Sequence, residues 1–252
     1  MDLKHVLEHH ILDEVWFRLP VFNGLMPWSK HLLMMLIAAA FLVLFLPLAV
    51  RGKLGILAKG FVEAIVVFIR DDILEPNLGH VGHAYLGYFC TLFFFILVCN
   101  LLGLVPYGAT ATGNIAVTLA LAMTTFFLIH LAGIREHGLV KYLHSIVPAG
   151  VPFWLWPLLY PIELIGFATK AFALCIRLFA NMIAGHIVIL ALLGLIFIFG
   201  ALNPWVGLVV TAPVSILLVL FVMCLELFVA FLQAYIFTFL TAIFVGGAVH
   251  SH

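Results

Sequence analysis

Charged residues are scarce in this sequence of 252 residues. Asp, Glu, Lys and Arg together make up 9% of the chain, hydrophobic residues make up 66%, and no charged residue occurs in 76–134, 142–162 or 178–225. Because a globular domain carries about a quarter of its residues as charges, a soluble protein is excluded. Apolar segments of this length predict a membrane protein with several spanning helices.

Other features that the sequence lacks exclude further classes of function. The net charge is zero, so nothing points to a nucleic-acid partner. The chain lacks a glycine-rich phosphate loop of the GxxxxGK[ST] kind, and we therefore expect no ATP chemistry in this chain. All four cysteines lie in apolar segments, where a thiol usually packs as a small hydrophobic group. We predict neither a cofactor nor a metal site.

Histidines occur in two small groups that could in principle bind a metal. One group comprises His5, His9 and His10 near the start of the chain, and the other is the pair His80 and His83. Isolated histidine pairs in loops are weak signals for metal binding, so these residues are left unassigned.

The pattern of apolar segments predicts an all-α polytopic membrane protein, organised as one membrane domain. Residues 1–31 form an external segment, and residues 32–50 form the first membrane-crossing helix. Residues 54–75 place Lys, Glu and Arg on one helix face and large apolar side chains on the other, which predicts an interfacial amphipathic helix. Residues 84–133 predict a helical hairpin of two further spans.

The last hundred residues predict a long, tilted helical hairpin over 153–252. Pro161 suits a first helical position, and the first breaker after it is the GALNPW turn at 200–205. Each arm is too long to stand upright in a bilayer core of about 30 Å. The total is about five membrane-crossing helices.

Charge at the membrane ends predicts the orientation. Six Lys or Arg residues flank the membrane on one side and three on the other. The positive-inside rule therefore places the N-terminus outside and the C-terminus in the cytoplasm.

Arg177 is the residue that most strongly indicates a function. It lies deep in an apolar helix, where an arginine costs about 2.5–3.5 kcal/mol on insertion scales. The residues within about 60° of it on the helix are mostly small, and they include Asn181. Small residues allow another helix to approach closely, so we expect Arg177 to face a partner at short range. The alternatives are snorkelling to the interface or a static ion pair with Glu226.

Other polar side chains in the last two helices are candidates for a proton path. His186 is nine residues from Arg177 and points to the opposite side of the helix, whereas Glu226 and Gln233 share a face of the last helix. Glu163 and Lys170 precede Arg177 at intervals of seven and extend a polar line into the membrane. Intramembrane ionisable groups commonly mark proton paths, although a packed histidine or an interfacial anchor remains an alternative for each.

Two other classes of protein remain open at this point. A secondary antiporter usually has a repeated half and its own carboxylate site near the midplane, whereas this chain has no internal repeat. A purely structural membrane anchor has no need for a buried arginine.

Four sequence motifs resemble subunit a of the F-type ATP synthase. They are ALCIRLFANMIAGH at 173–186, ELFVAFLQAYIFTFL at 226–240, NLLGLVPY at 100–107 and EAIVVFIRD at 63–71. They occur in order over nearly the whole chain, including the amphipathic segment and the terminal hairpin. The resemblance is therefore specific to this family.

The resemblance implies a function in proton-driven ATP synthesis. It implies that Arg177 is the stator charge facing a rotating ring of c subunits, with Asn181 beside it. It also implies that Glu226, His186 and Gln233 line an external proton half-channel, and Glu163 and Lys170 a cytoplasmic one. The implied partners are the c-ring, peripheral-stalk b-type subunits and the lipid bilayer of an energy-coupling membrane, in a bacterium the inner membrane.

Overall fold

The structure is a computed structural model that describes residues 15–21, 24–52, 55–105, 111–145 and 152–250. His5, His9 and His10 lie outside the described residues. Within them, five helical segments are long and apolar enough to cross a membrane: Lys30–Val50, Ile56–Gly103, Ile115–His137, Trp156–Leu202 and Val206–Val249. The predicted all-α polytopic fold with five crossing segments is confirmed.

The chain before the first span contains a β-hairpin, which the sequence analysis did not predict. Strand β1 covers Val15–Val21 and strand β2 covers Gly24–Ser29, and the two pair antiparallel with Val21 opposite Gly24. The register shifts between Val15 and Phe17, which is typical of a β-bulge. Aromatic and β-branched residues in VWFRLPV favour the extended conformation.

The first half of the membrane domain contains four helices. Helix α1 covers Lys30–Val50 and helix α2 covers Ile56–Phe68. A π-helical turn, Ile69–Leu74, joins α2 to the short helix α3, Glu75–Leu78. Gly79 then adopts a positive φ of 57°, which favours glycine, and helix α4 follows at Gly82–Gly103.

The second half contains four more helices. Helix α5 covers Ile115–His137 and the short helix α6 covers Leu139–Ser145. Helix α7 covers Trp156–Leu202, a π-helical turn covers Val206–Thr211, and helix α8 covers Ala212–Val249.

Helix α7 starts earlier than the sequence indicated. It begins at Trp156, so Pro161 lies inside the helix and not at its first position. The 47 residues of α7 make a rod of about 70 Å, more than twice the hydrocarbon thickness. The break before the next helical segment is short, and the Trp205 amide donates to Asn203 Oδ1 at 3.0 Å across it.

The chain divides into two compact units. One comprises Met1–Ala40, Ile96–Ile115 and Leu178–Gln233, and the other Phe41–Phe95, Ala116–Arg177 and Ala234–His252. In the first unit, Gly200 and Gly207 allow the two arms of the terminal hairpin to meet, because a Cβ on Gly207 would overlap the Gly200 backbone.

Polar contacts between helices hold the second unit. Thr118 on α5 lies 3.3 Å from the Cys175 sulfur on α7, and Thr125 Oγ1 lies 3.5 Å from Thr241 Oγ1 on α8. His137 Nε2 lies 2.8 Å from the carbonyl oxygen of Val249 at the end of α8. Such hydrogen bonds stabilise helix association where the lipid itself is apolar.

Candidate functional site

Glu226 lies in the interior of the first unit against helix α7. A Cβ on Gly185 would overlap Glu226 Oε1 and would lie 2.7 Å from Glu226 Cδ, so a larger residue at this position would require the carboxyl group to move. Both carboxyl oxygens are buried, and neither has a hydrogen-bond partner among the described residues. A buried carboxyl group without a protein partner is costly, and such groups mark functional sites in membrane helices.

His186 follows Gly185 and interacts electrostatically with Glu226. Its Nδ1 lies 2.9 Å from the Met182 carbonyl oxygen, and its Nε2 lies 3.2 Å from the Gly103 carbonyl oxygen at the end of α4. The structure thus places His186 next to the contact between Gly185 and the Glu226 carboxyl group.

Asn100 extends this site, and sequence reasoning did not assign it a function. The side chain is fully buried; its Nδ2 donates to the Ala230 carbonyl oxygen at 3.3 Å, and its Oδ1 accepts from Thr112 Oγ1 at 2.7 Å. Ala230 is one turn after Glu226 on α8. The feature of the sequence that could have indicated a role for Asn100 is its position as an amide residue within an apolar helix, at the start of the NLLGLVPY motif.

Gln233 and Asn181 are two further candidates for the proton path. Gln233 is 9% exposed and lies two turns after Glu226 on the same face of α8. Asn181 is half-buried on α7.

Arg177 lies on the outward face of α7. The Arg177 side chain is exposed, as are Ala173, Ala180 and Ala184, whereas Leu178 on another face is buried. Arg177 makes no hydrogen bond or ion pair with any residue that the structure describes. The predicted stripe of small residues is therefore open, with the arginine in it.

Glu163 and Lys170 lie in the second unit, on the part of α7 that precedes Arg177. Glu163 is half-buried and Lys170 is exposed. The Lys170 ammonium lies 4.9 Å from the Phe167 ring centre and 5.5 Å from the Phe244 ring centre. Both are cation–π distances, so the ammonium group of Lys170 lies against two aromatic rings.

Metal binding has no support from the side-chain geometry. In the described ranges, no three His, Cys, Asp or Glu side chains come together in a way that could hold a metal ion. His80 and His83 are both exposed.

Taken together, the fold and these side chains define a polytopic helical membrane protein with isolated ionisable groups inside its apolar helices. The family model for the ATP synthase A chain matches residues 32–246. The chain is 45% identical over 262 residues to ATP synthase subunit a 2 of Chlorobium luteolum, covering 96% of this chain and 75% of that protein. It is 46% identical over 233 residues to ATP synthase subunit a of Myxococcus xanthus, covering 89% and 74%.

The chain therefore belongs to the ATP synthase A chain family. This membership, with the five apolar helices, makes it a multi-pass membrane subunit of the F0 sector, with ATP synthesis and proton transport as its context.

Proposed function

We propose that this chain is the stator subunit a of an F-type ATP synthase and that it forms two proton half-channels against a rotating c-ring. The observation that supports this most strongly is the exposure of Arg177 on a stripe of small residues. A permanent charge with no partner in the described chain needs one outside it, because an arginine left in hydrocarbon is costly. A carboxylate on a neighbouring ring of helices is a partner of matching charge.

Arg177 acts by controlling the ionisation of that ring carboxylate. An arginine keeps its proton in proteins, so it favours the ionised form of a carboxylate passing close to it. A proton therefore leaves the ring on one side of Arg177 and a new one binds on the other. Each charge that crosses supplies about 2.3 kcal/mol per 100 mV of membrane potential, which drives rotation in one direction.

The two half-channels use different parts of the chain. Glu226, His186 and Gln233 deliver protons from the external side, with Asn181 beside the ring face. Support comes from the buried carboxyl group of Glu226 against Gly185 and its interaction with His186.

Glu163 and Lys170 receive protons on the cytoplasmic side of Arg177. They lie on the part of α7 that leads from Arg177 toward its N-terminal end. We infer an orientation with the N-terminus outside and the C-terminus in the cytoplasm of a bacterial inner membrane. The c-ring and b-type peripheral-stalk subunits are the proposed protein partners.

The test is substitution of Arg177 in the assembled complex. We expect Arg177→Ala to abolish ATP-driven proton pumping in inverted vesicles while the complex still assembles, because one charge is lost and the small-residue face is kept. Arg177→Lys should restore little, since lysine can lose its proton and lacks the planar guanidinium group.

Arg51→Ala is the matched control, because Arg51 is also exposed but lies just after α1. It should pump at the wild-type rate. Normal pumping by Arg177→Ala in complexes of normal subunit content would refute the stator charge.

A further inference from the structure

His130 on α5 is an intramembrane histidine that the proposed function does not use. Its ring packs between Phe126 and Phe167, with ring centres 4.4 and 5.4 Å away. His130 Nδ1 lies 2.6 Å from the Tyr142 hydroxyl oxygen. Its Nε2 is buried and has no hydrogen-bond partner among the residues that the structure describes.

Two glycines determine the position of the Tyr142 side chain. Gly138, with a φ of 77°, separates α5 from α6, and Gly133 leaves room for the Tyr142 ring, which a Cβ there would overlap. Tyr142 is 3% exposed. Burial and the nearby Tyr160 raise the pKa of Tyr142 to about 12, so the phenol stays neutral at physiological pH. When Nδ1 carries the ring proton and donates it to the hydroxyl oxygen, Nε2 is the nitrogen that can accept a further proton.

His130 packs against the polar face of α7. Phe167 lies between Glu163 and Lys170 on one face of that helix, and its ring contacts both His130 and the Lys170 ammonium. The titratable groups around this cluster are Tyr142 from α6, with Tyr160 near it, and Lys170 from α7, which shares the Phe167 ring with His130. Glu163 lies one turn before Phe167 on the same face of α7. Helix α8 contributes an uncharged ring to this cluster, Phe244.

We propose that His130 is a proton-exchanging residue of the half-channel that contains Glu163 and Lys170, and that Tyr142 is its positioning residue. This inference rests on the proposed function of the chain. Once water reaches Nε2 in the working complex, Nε2 accepts a proton from a hydronium ion arriving from the ring, which leaves water and an imidazolium. The imidazolium then returns the proton to a water molecule on the aqueous side. Only N–H and O–H bonds form and break.

Two physical arguments support this assignment. An ionisable side chain inside a membrane is costly unless it has a function or a partner, and within the described part of the chain one nitrogen of His130 has no hydrogen-bond partner. Histidine is also the side chain whose ordinary pKa, about 6.5, allows it to gain and lose a proton near neutral pH. A polar residue needed only to hold Tyr142 would not require a second buried nitrogen.

The decisive variant is His130→Asn in the complete complex. Asparagine can still hydrogen-bond to the Tyr142 hydroxyl but does not titrate. We expect passive proton flux through the membrane sector to fall by roughly 100-fold, at the low end of the contribution of a positioned proton-transfer group. The flux should also lose the part of its pH dependence, measured on the Glu163 side, that comes from a titrating imidazole.

Tyr142→Phe is the matched variant for positioning. Phenylalanine keeps the aromatic ring in the space beside Gly133 but removes the hydroxyl group. The proton flux should therefore fall, while its dependence on pH should remain. Wild-type flux and wild-type pH dependence in His130→Asn, per assembled complex, would overturn the proposal and leave His130 as a structural residue.

The same vesicles separate this inference from the proposed function. Pumping that survives Arg177→Ala rejects the stator function. The pH dependence of passive flux in His130→Asn is measured without ATP and decides the role of His130 in either case.

Discussion

The contact between Gly185 and Glu226 gives the sharpest prediction. We expect Gly185→Ala to impair proton translocation strongly, because the new Cβ would overlap Glu226 Oε1. An ordinary contact with a Cβ begins at 3.4 Å, so the carboxyl group has to move by more than about 1 Å. A displacement of that size at a reacting group can reduce a rate by on the order of 100-fold.

Gly185→Ala should change the stability of the complex little, so its effect on proton translocation can be measured separately. Alanine in place of glycine in a helix gains about 1 kcal/mol of helix propensity, whereas overpacking costs about 1–3 kcal/mol. The two effects nearly offset, so the complex should still assemble. The loss should therefore appear in ATP-driven pumping by inverted vesicles, normalised to the amount of complex.

A control and a compensating variant sharpen this experiment. Gly87→Ala on α4 gains the same helix propensity, but its Cβ would meet nothing within 4 Å, so pumping should be unchanged. Adding Glu226→Asp to Gly185→Ala shortens the acidic side chain by one methylene, about 1.5 Å, and should restore part of the rate. Equal pumping by Gly185→Ala and Gly87→Ala would show that the carboxyl group does not rest on Gly185 in the working complex.

Two further predictions concern the paired site and the face of α7. Replacing His186 or Glu226 singly should slow ATP-driven pumping, and exchanging them as His186→Glu with Glu226→His should retain more activity than either single exchange; a double variant slower than both singles would reject the pairing. Ala184→Leu should obstruct close approach of the ring and lower pumping, and a cysteine at Ala180 should cross-link to the outer helix of a c subunit. A cysteine at Phe172, exposed on another face of α7, should give no cross-link.

The cross-linking experiment needs one change to the background. Cys224 is an exposed free cysteine, whereas Cys99 and Cys175 are buried. Cys224→Ser therefore removes the most accessible competing thiol. Cross-linking at Phe172 but not at Ala180 would place the ring on a different face of α7.

The register of the terminal hairpin shows how far sequence reasoning could go. Pairing residues at equal distances from the turn does not bring position 186 opposite 226. In the structure, Gly185 contacts Glu226 and Gly200 contacts Gly207. Position 185 is 15 residues before Gly200 on one arm, whereas position 226 is 19 residues after Gly207 on the other. The π-helical turn over Val206–Thr211 takes up part of this difference, because a π-helix places more residues in each turn. No pattern in the sequence predicted that turn.

The sequence by itself determined the membrane class, the five crossing segments and the face that carries Arg177. Long uncharged runs have few other stable conformations, because backbone groups in hydrocarbon must bond within a helix. Helical periodicity then orients each side chain on its own helix, which was sufficient to place Ala173, Ala180 and Ala184 on the same side of α7 as Arg177.

Only the tertiary structure decided which side chains meet across helices. His186 contacts the carbonyl of Gly103, which is 83 residues away, and Asn100 contacts Ala230, which is 130 residues away. The contact between His130 and Tyr142 depends on a turn at Gly138 and a notch at Gly133. Periodicity within one helix contains no information on the axial offset or distance between two helices, because packing against small residues sets both.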